Sequence, residues 1–404
     1  MDLDARLRHP LPTLIPAPRT LGDLEGLRAS GVRAGIKASG ARDVGILVAD
    51  RLLDVAAVFT QNRLAAAPVL VSRENLAKTG GRARAIVVNS GNANACTGPE
   101  GMQNARTMCA ELAALVGCEA EEVLVASTGV IGVPLPFERI RGGIRSAFET
   151  LEAGAEAGQA FLEAIQTTDA YPKEAAVLGE GWSVAGVCKG AGMIAPNMAT
   201  MLAFVATDAP VDHARLPALV RDVARGSFNA VHVDSHPSTN DALFVLATRR
   251  GAQPETFAAA LAQTCKRLAW LIARDGEGAT KVTTIVVSGA ADDGAAEAIA
   301  RRVAESALVR TALFGNDPNW GRFVSQVGNA KECGSVEGLT CKLQGIPVFA
   351  HGVPAPFDRE AARRAMAQED VLLELVLTEG TGTGVVLTSD LGYRYIEVNA
   401  DYTT

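Results

Sequence analysis

The stretch Lys189-Gly-Ala-Gly-Met-Ile-Ala-Pro-Asn-Met-Ala-Thr-Met-Leu-Ala-Phe204 lies near the middle of the 404-residue chain. Glycines and other small residues fill its first half, where they permit tight turns and close backbone approach. The run Met201–Thr207 is strongly apolar and predicts a buried strand. Thr200 therefore stands where that strand begins. From these residues alone, the favoured interpretation is a glycine-rich loop that enters a strand.

Apolar runs and helical patterns alternate on both sides of this stretch. Short apolar runs bounded by polar or glycine-bearing turns predict further strands, at Val44–Val48, Ala56–Thr60, Val69–Ser72, Ala85–Asn89, Glu122–Ser127, Ala242–Thr248, Thr283–Ser288, Leu372–Leu377 and Val385–Ser389. Helical periodicity covers residues 100–116, 137–166, 212–225, 254–274 and 293–310. Because strands and helices are interleaved, the class is mixed α and β. Periodicity alone leaves the topology open.

Composition favours an enzyme of small molecules in the cytoplasm. Hydrophobic residues make up 48% of the chain and the net charge is −7, which argues against nucleic-acid binding. Seven cysteines without CxxC spacing indicate a reducing compartment. The N-terminus has no apolar segment typical of a signal peptide, and no run of about 18 apolar residues predicts a membrane span. The length suits two or three domains or one two-lobed unit.

Two patterns that suggest ligand binding have simpler interpretations. Gly380, Gly382 and Gly384 resemble a phosphate-binding loop, but a predicted strand follows them where a helix is needed, which favours a hairpin turn. His232 and His236 have a spacing that binds metal on a helix, whereas the alternating residues around them indicate a strand running into a loop. We therefore expect no metal and no cofactor.

Thr200 becomes a plausible nucleophile only if the chain is cut before it. A threonine hydroxyl is scarcely ionised at neutral pH. Cleavage of the Ala199–Thr200 bond would give Thr200 a free α-amino group, whose reference pKa of about 7.7–8.0 suits a general base. The nucleophile and its base would then belong to one residue.

An ordered set of motifs resembles the ornithine acetyltransferase family, whose members are also called bifunctional glutamate N-acetyltransferases and amino-acid acetyltransferases. The resemblance covers nearly the whole chain and is carried by Gly35–Gly40, Asn89–Gly98, Ser127–Gly132, Thr167–Asp169, Lys189–Leu202, Ser238–Asp241, Asp275–Lys281, Arg310–Gly315, Asp317–Arg322 and Asn399–Thr404. The sequence departs from the family pattern at His232–Pro237 and at Ala242, which leaves the substrate preference open.

The family resemblance implies a reaction and the residues that perform it. An acetyl group moves from N2-acetyl-L-ornithine to L-glutamate in cyclic arginine biosynthesis, and some members also use acetyl-CoA as a co-substrate. Thr200 would cut its own chain after Ala199 and then carry the acetyl group, while Thr128 and Gly129 would form the oxyanion hole. The matching substrate-binding residues are Thr167, Lys189, Thr200, Glu277, Asn399 and Thr404.

The resemblance also implies an architecture and an assembly. We expect a mixed α/β layered sandwich of β-sheets flanked by helices, similar to the fold of self-processing aminopeptidases and ornithine acetyltransferases. Cleavage would yield an α chain of residues 1–199 and a β chain of residues 200–404, two halves of one interwoven unit that assemble as a heterotetramer of two α and two β chains. Two alternatives remain open: a self-cleaving aminopeptidase or amidase that hydrolyses a related N-acyl substrate, and an uncleaved binding protein.

Overall fold

The computed structural model describes residues 19–195 and 201–401. Its strands form two sheets. The first sheet has eight strands, which are β1 (Leu27–Val32), β2 (Val44–Phe59), β3 (Arg82–Asn92), β4 (Val123–Val130), β5 (Lys173–Leu178), β6 (Ser183–Lys189), β7 (Leu202–Val211) and β9 (Ala242–Arg250). The second sheet has seven, which are β8 (Val231–His232), β10 (Val282–Ala290), β11 (Thr340–Leu343), β12 (Ile346–Ala350), β13 (Val353–Pro354), β14 (Asp370–Val376) and β15 (Gly382–Ser389).

The order of strands interleaves the two parts of the chain. In the first sheet the order is β4-β3-β2-β9-β7-β6-β5, with β1 paired to β2. Strands β9 and β7 follow residue 200, yet they lie between β2 and β6, which precede it. The order in the second sheet is β13-β12-β11-β14-β10-β15-β8. The centre of the first sheet is therefore built from both sides of the Ala199–Thr200 junction.

Eleven α-helices within the described ranges cover the sheets. They are α1 (Ala67–Thr79), α2 (Gly98–Val116), α3 (Phe137–Glu149), α4 (Ala155–Ile165), α5 (Leu216–Arg225), α6 (Phe257–Arg274), α7 (Asp293–Ala304), α8 (Ala307–Phe314), α9 (Trp320–Gly328), α10 (Arg359–Met366) and α11 (Tyr393–Asp401). No helix among the described residues is long and apolar enough to cross a membrane.

Alternating side chains on the first sheet build separate cores on its two faces. On β2 and β3, Ile46 and Val87 pack with helices α1–α3, whereas Leu47 and Ile86 pack with Phe161 of α4. The two aromatic rings of Phe161 and Phe204 meet edge to face with centroids 5.1 Å apart. The second sheet packs against α7–α10 in a core of its own. The predicted mixed α/β fold with layered sheets and flanking helices is confirmed.

Helix α6 connects the two sheets. Its alanine- and leucine-rich sequence favours a helix, and Leu261, Cys265 and Leu268 recur at helical spacing and are buried. These residues share one core with strands β6, β7 and β9. On the other side, the indole of Trp270 donates a hydrogen bond of 3.2 Å to Asp370 on β14. These contacts with both sheets fix the position of the carboxyl end of α6, and the Asp275–Lys281 motif follows directly after it.

Three predictions about individual elements are wrong. Val69–Ser72 belongs to helix α1, because Pro68 is suited to its first turn and Val71 packs with Val123 and Val125 of β4. The region 293–310 forms two helices, since Ser306 caps a new helix by accepting from the Val309 amide at 3.4 Å.

The glycines between β14 and β15 do not form a hairpin turn. Strand β14 pairs with β10 in parallel and β15 pairs with the other edge of β10, so the chain crosses over β10 between them. A Cβ added to Gly384 would lie 2.4 Å from the backbone nitrogen of Glu297 in α7. The glycines therefore allow helix α7 to approach strand β15 closely.

We expect Gly384→Ala to lower the free energy of unfolding by about 1–3 kcal/mol, because the added methyl group overlaps the α7 backbone. The matched control is Gly142→Ala in α3, where a Cβ meets nothing within 4 Å. That change should leave stability unchanged or raise it by up to about 1 kcal/mol. Denaturant midpoints of both variants check this, and equal midpoints would contradict the close packing of α7 on β15.

Candidate functional site

Three strand ends meet where the stretch Lys189–Phe204 joins the first sheet. Lys189, the last residue of β6, is paired with Leu202 at the start of β7, and Leu202 is paired with Ala242 at the start of β9. Lys189 is only 3% exposed. Ala199 and Thr200 lie outside the described residues. Met201, which follows Thr200 directly in the chain, is buried beside these strand ends.

A buried ammonium group lies between two carboxylates next to Lys189. Lys173, the first residue of β5, donates to Oδ1 of Asp169 at 2.6 Å and to Oδ2 of Asp275 at 2.5 Å. The side chains of Lys173 and Asp169 are fully buried, and that of Asp275 is 4% exposed. Because a lone buried charge is costly, each member of this triad requires the others.

The triad also holds the backbone of three segments that carry predicted site residues. Asp169 accepts hydrogen bonds from the backbone amides of Thr167 at 2.8 Å and Gly190 at 2.8 Å. Asp275 accepts from the amide of Ala170 at 3.0 Å. One cation, the Lys173 ammonium, thus holds three segments together. They are the loop of Thr167, the end of β6 after Lys189 and the segment that leads to Glu277.

Burial and neighbouring charges shift the pKa values in this cluster. Burial alone would raise the pKa of Asp169, but the ammonium groups of Lys173 and Lys189 outweigh it and hold that pKa well below its usual range. Burial lowers the pKa of Lys189, although Asp169, Asp241 and Glu277 oppose the change. Burial also lowers the pKa of Lys37 to about 8. Positive and negative groups therefore share one polar region inside the fold.

Glu277 and Asn399, both predicted to bind substrate, are in direct contact. The Asn399 amide on α11 donates to Oε2 of Glu277 at 2.9 Å and to the carbonyl of Tyr395 at 3.0 Å. The Glu277 backbone amide donates to the carbonyl of Ala191 at 2.9 Å. A Cβ on Gly192 would lie 2.4 Å from the Glu277 carboxyl group, so the glycine leaves room for this carboxylate. Thr404 lies outside the described residues.

Thr128 and Gly129, the predicted oxyanion-hole residues, lie near the end of β4. Thr128 is buried, and Gly129 has a φ of 131°, a backbone conformation that favours glycine. A Cβ there would also lie 2.3 Å from the backbone carbon of Gly91. The Asn240 amide donates to the carbonyls of Ser127 at 2.9 Å and Ala93 at 2.6 Å. Asn240 thus ties strand β4 to the residues that precede β9.

His232 is buried and serves a structural role. Its ring nitrogens lie 3.3 Å from the Thr388 hydroxyl and 2.8 Å from the Ser235 hydroxyl. Burial lowers the pKa of His232 to about 3, so the ring is neutral at physiological pH. Within residues 19–195 and 201–401, no cluster of His, Cys, Asp or Glu has the arrangement of a metal site.

A family model described as the ArgJ family matches residues 28–404. The chain belongs to the ArgJ family. Relatives named "Arginine biosynthesis bifunctional protein ArgJ" match over nearly their whole length. The protein of Thermus thermophilus is 46% identical and the alignment covers 94% of this chain and 98% of the relative. The relative from Geobacter sulfurreducens is 43% identical, and the alignment covers 95% of this chain and 100% of the relative. The relative from Rhodopirellula baltica is 42% identical, and the alignment covers 94% of this chain and 96% of the relative.

Two solved structures are similar in sequence to this chain over less than half of its length. The ornithine acetyltransferase of Mycobacterium tuberculosis, solved in complex with ornithine, is 39% identical and covers 44% of this chain and 95% of its own, with a TM-score of 0.42. The ArgJ protein of Bacillus halodurans is 38% identical and covers 45% of this chain and 94% of its own, with a TM-score of 0.40.

The sequence signals did not identify the supporting residues of this site. Lys173 has no local pattern, since one of its carboxylate partners is 102 positions away. Asn240 and Asp275 belong to motifs that carried the family resemblance, but no role was predicted for either. The one trace of the triad in the local sequence is that Lys173 follows Asp169 by four positions.

Replacing Lys173 with methionine should destabilise the protein strongly, because the carboxylates of Asp169 and Asp275 lose their cation. We expect the free energy of unfolding, measured with denaturant, to fall by about 3–5 kcal/mol at pH 7. The lowered pKa of Asp169 makes its contribution to wild-type stability present above about pH 4 and lost as the pH falls through the folded value. In Lys173→Met the unpaired carboxylates bind protons more readily when folded, so stability should instead rise between pH 7 and 5.

The matched control is Lys78→Met. Lys78 pairs with Glu121 at 3.2 Å, and the two side chains are 59% and 43% exposed. An exposed pair of this kind contributes at most about 1 kcal/mol. Equal losses for the two variants, or a Lys173→Met protein that weakens as the pH is lowered to 5, would refute the buried triad.

Proposed function

We propose that this protein transfers the acetyl group of N2-acetyl-L-ornithine to L-glutamate through an acetyl-Thr200 intermediate, and that it first cuts its own chain between Ala199 and Thr200. The observation that carries the proposal is that the buried triad ties the Lys189 and Glu277 segments together beside the strand that follows Thr200. Membership of the ArgJ family supports the same reaction, since the relatives are named for arginine biosynthesis.

Self-cleavage needs no group beyond the chain and water. The Thr200 hydroxyl attacks the carbonyl carbon of Ala199, the peptide C–N bond breaks, and the released nitrogen takes up the proton. The product is an ester between Ala199 and the Thr200 oxygen, which water hydrolyses to a carboxylate and a free hydroxyl. Thr200 is left with an α-amino group whose reference pKa of about 7.7–8.0 suits a general base.

Acetyl transfer then proceeds in two steps with the same atoms. The amine of Thr200 takes the hydroxyl proton while the oxygen attacks the acetyl carbonyl of N2-acetyl-L-ornithine. The amide bond breaks, ornithine leaves with that proton on its amine, and an acetyl ester remains on Thr200. The uncharged amine of glutamate attacks this ester, which forms N-acetyl-L-glutamate and restores the hydroxyl.

The charges of the site suit two amino-acid substrates. The Lys189 ammonium is fit to bind a substrate carboxylate, and the Glu277 carboxylate, oriented by Asn399, is fit to bind the side-chain ammonium of ornithine. Thr167 and Thr404 complete the proposed set of substrate contacts. Thr128 and Gly129 would stabilise the oxyanion of the tetrahedral intermediates, and the tie from Asn240 to Ser127 supports their placement.

We place the cleaved protein in the cytoplasm as a heterotetramer of two α and two β chains. The interleaving of β7 and β9 between β2 and β6 supports halves that stay together after cleavage, with residues 1–199 and 200–404 as the two chains. The seven cysteines are all unpaired, which suits a reducing compartment. Acetyl-CoA is proposed as a second acetyl donor, because the relatives are named as bifunctional proteins.

The first test is a denaturing gel of the purified protein. We expect two fragments of nearly equal size, corresponding to residues 1–199 and 200–404, with little of the 42.0-kDa chain. Thr200→Ala should remain at 42.0 kDa and be inactive, since it lacks the hydroxyl that attacks Ala199. Purified wild-type protein should release ornithine from N2-acetylornithine much faster with glutamate than without it, and should form N-acetylglutamate from acetyl-CoA.

Each other outcome has a defined meaning. Equal ornithine release with and without glutamate would identify an amidase, because water would then be the acceptor. A wild-type chain that stays intact would support an uncleaved binding protein. Acetyl transfer by Thr200→Ala would exclude Thr200 as the nucleophile.

Thr128→Val should lower kcat for acetyl transfer by about 10²–10³-fold with a smaller change in KM, because the hydroxyl is used on the developing oxyanion. Thr128→Ser, which keeps the hydroxyl, is the matched control and should stay within about tenfold of wild type. Steady-state kinetics on fully processed samples provide the comparison. Equal kcat values for the two variants would remove the hydroxyl from the proposed oxyanion hole.

A further inference from the structure

A buried carboxyl group binds the backbone directly after Thr200. Oδ1 of Asp241 accepts a hydrogen bond from the Met201 amide at 2.9 Å. That amide nitrogen is bonded to the carbonyl carbon of Thr200, so the contact lies one bond from the proposed nucleophile residue. Asp241 is 0% exposed and lies directly before β9. Its position is fixed because the Thr60 amide donates to its carbonyl at 3.0 Å and the Ala242 amide donates to the Met201 carbonyl at 3.2 Å.

A second carboxyl group binds the backbone at the other end of the same segment. Asp234 accepts from the amides of Met193 at 2.5 Å, Ile194 at 2.7 Å and His236 at 3.2 Å. In return, the carbonyl of Ile194 accepts from the amides of Val233 at 2.8 Å and Asp234 at 3.1 Å. The chain that leads to Ala199 is therefore attached to the region around Asp234.

We propose that Asp234 and Asp241 are positioning residues that hold the two ends of the segment 195–200 and thereby present the Ala199–Thr200 bond for cleavage. This inference rests on the proposed self-processing. Only six residues lie between the two attachment points, and both carboxyl groups come from the one segment 231–241. Fixing both ends of so short a segment restricts the conformations from which the Thr200 hydroxyl reaches the preceding carbonyl.

The two carboxyl groups have different duties after cleavage. Asp234 then holds the new chain end that stops at Ala199, whereas Asp241 still holds Thr200 through Met201. Asp234 therefore serves the cleavage step, and Asp241 serves both cleavage and acetyl transfer.

The two sites also differ in the chemistry that they require. Burial raises the pKa of both carboxyl groups, and it raises that of Asp241 well above its usual range, which favours the neutral acid there. An asparagine at position 241 keeps an oxygen that accepts from Met201 and matches that neutral form. Asp234 uses both oxygens as acceptors, Oδ2 for Met193 and Oδ1 for Ile194 and His236. An asparagine at position 234 would turn an NH₂ group towards a backbone N–H.

The test is the rate of self-cleavage of freshly made full-length precursor, followed on denaturing gels. Asp241→Ala and Asp234→Asn should each slow cleavage by about tenfold or more, the factor expected for one lost buried hydrogen bond. Asp241→Asn should stay within about threefold of wild type. The control Asp54→Asn changes a buried aspartate of β2 that binds Arg250, and it should cleave at the wild-type rate even if its stability falls.

A second readout separates positioning from a general loss of structure. Once processed and purified, Asp234→Asn should have wild-type kcat and KM for acetyl transfer, whereas Asp241→Ala should have a lowered kcat with nearly unchanged KM. If Asp241→Ala does not fold, Asp234→Asn and Asp241→Asn still decide the question, because opposite effects of the same chemical change are expected. Wild-type cleavage rates in Asp234→Asn, or equal slowing in both asparagine variants, would overturn the inference. A wild-type chain that does not cleave would instead overturn the proposed function itself.

Discussion

The buried ammonium of Lys173 between Asp169 and Asp275 is the interaction on which the rest of the site depends. Removing water from these three groups is costly, and their mutual attraction compensates for it only in this close arrangement. The oxygens of the two carboxylates also accept backbone N–H groups from loops that are far apart in sequence. One cation therefore fixes the relative positions of strand β5, the end of β6 and the carboxyl end of helix α6.

The need to satisfy buried polar groups also explains why the polar side chains gather at this edge of the sheet. Strand ends expose backbone groups that the sheet itself no longer satisfies, and such groups need other partners when they are buried. Asp169, Asp234, Asn240 and Asp241 supply those partners, each with a short side chain that bonds main-chain atoms. The short polar side chains of this interior thus bind the backbone on both sides of the proposed cleavage segment, at Ile194 and at Met201.

Much of the fold could be predicted from the sequence, but the site could not be assembled from it. Helix 254–274 and the strand Met201–Thr207 were predicted well because each has one strong periodicity. Val69–Ser72 was misassigned because tertiary packing and Pro68 outweigh the preference of β-branched residues. The crossover between β14 and β15 was missed because local glycines do not reveal which strand lies between. Thr128, Lys189 and Glu277 were identified only through the family resemblance, because the contacts that hold these segments together, such as Lys173 with Asp275, join residues 102 positions apart.

The insertion of β7 and β9 between β2 and β6 has a consequence for the refolding of the protein after it unfolds. Before cleavage, folding is an event within one molecule. The proposed cleavage at Ala199–Thr200 would place the central strands of the first sheet on two polypeptides, so their reassembly would become a second-order reaction that depends on concentration. Unfolding of the mature protein would then be effectively irreversible, because it releases two incomplete halves with exposed sheet edges. The lifetime of the mature protein would depend on its unfolding rate. The precursor is in that sense the only template from which the interleaved sheet forms readily at low concentration.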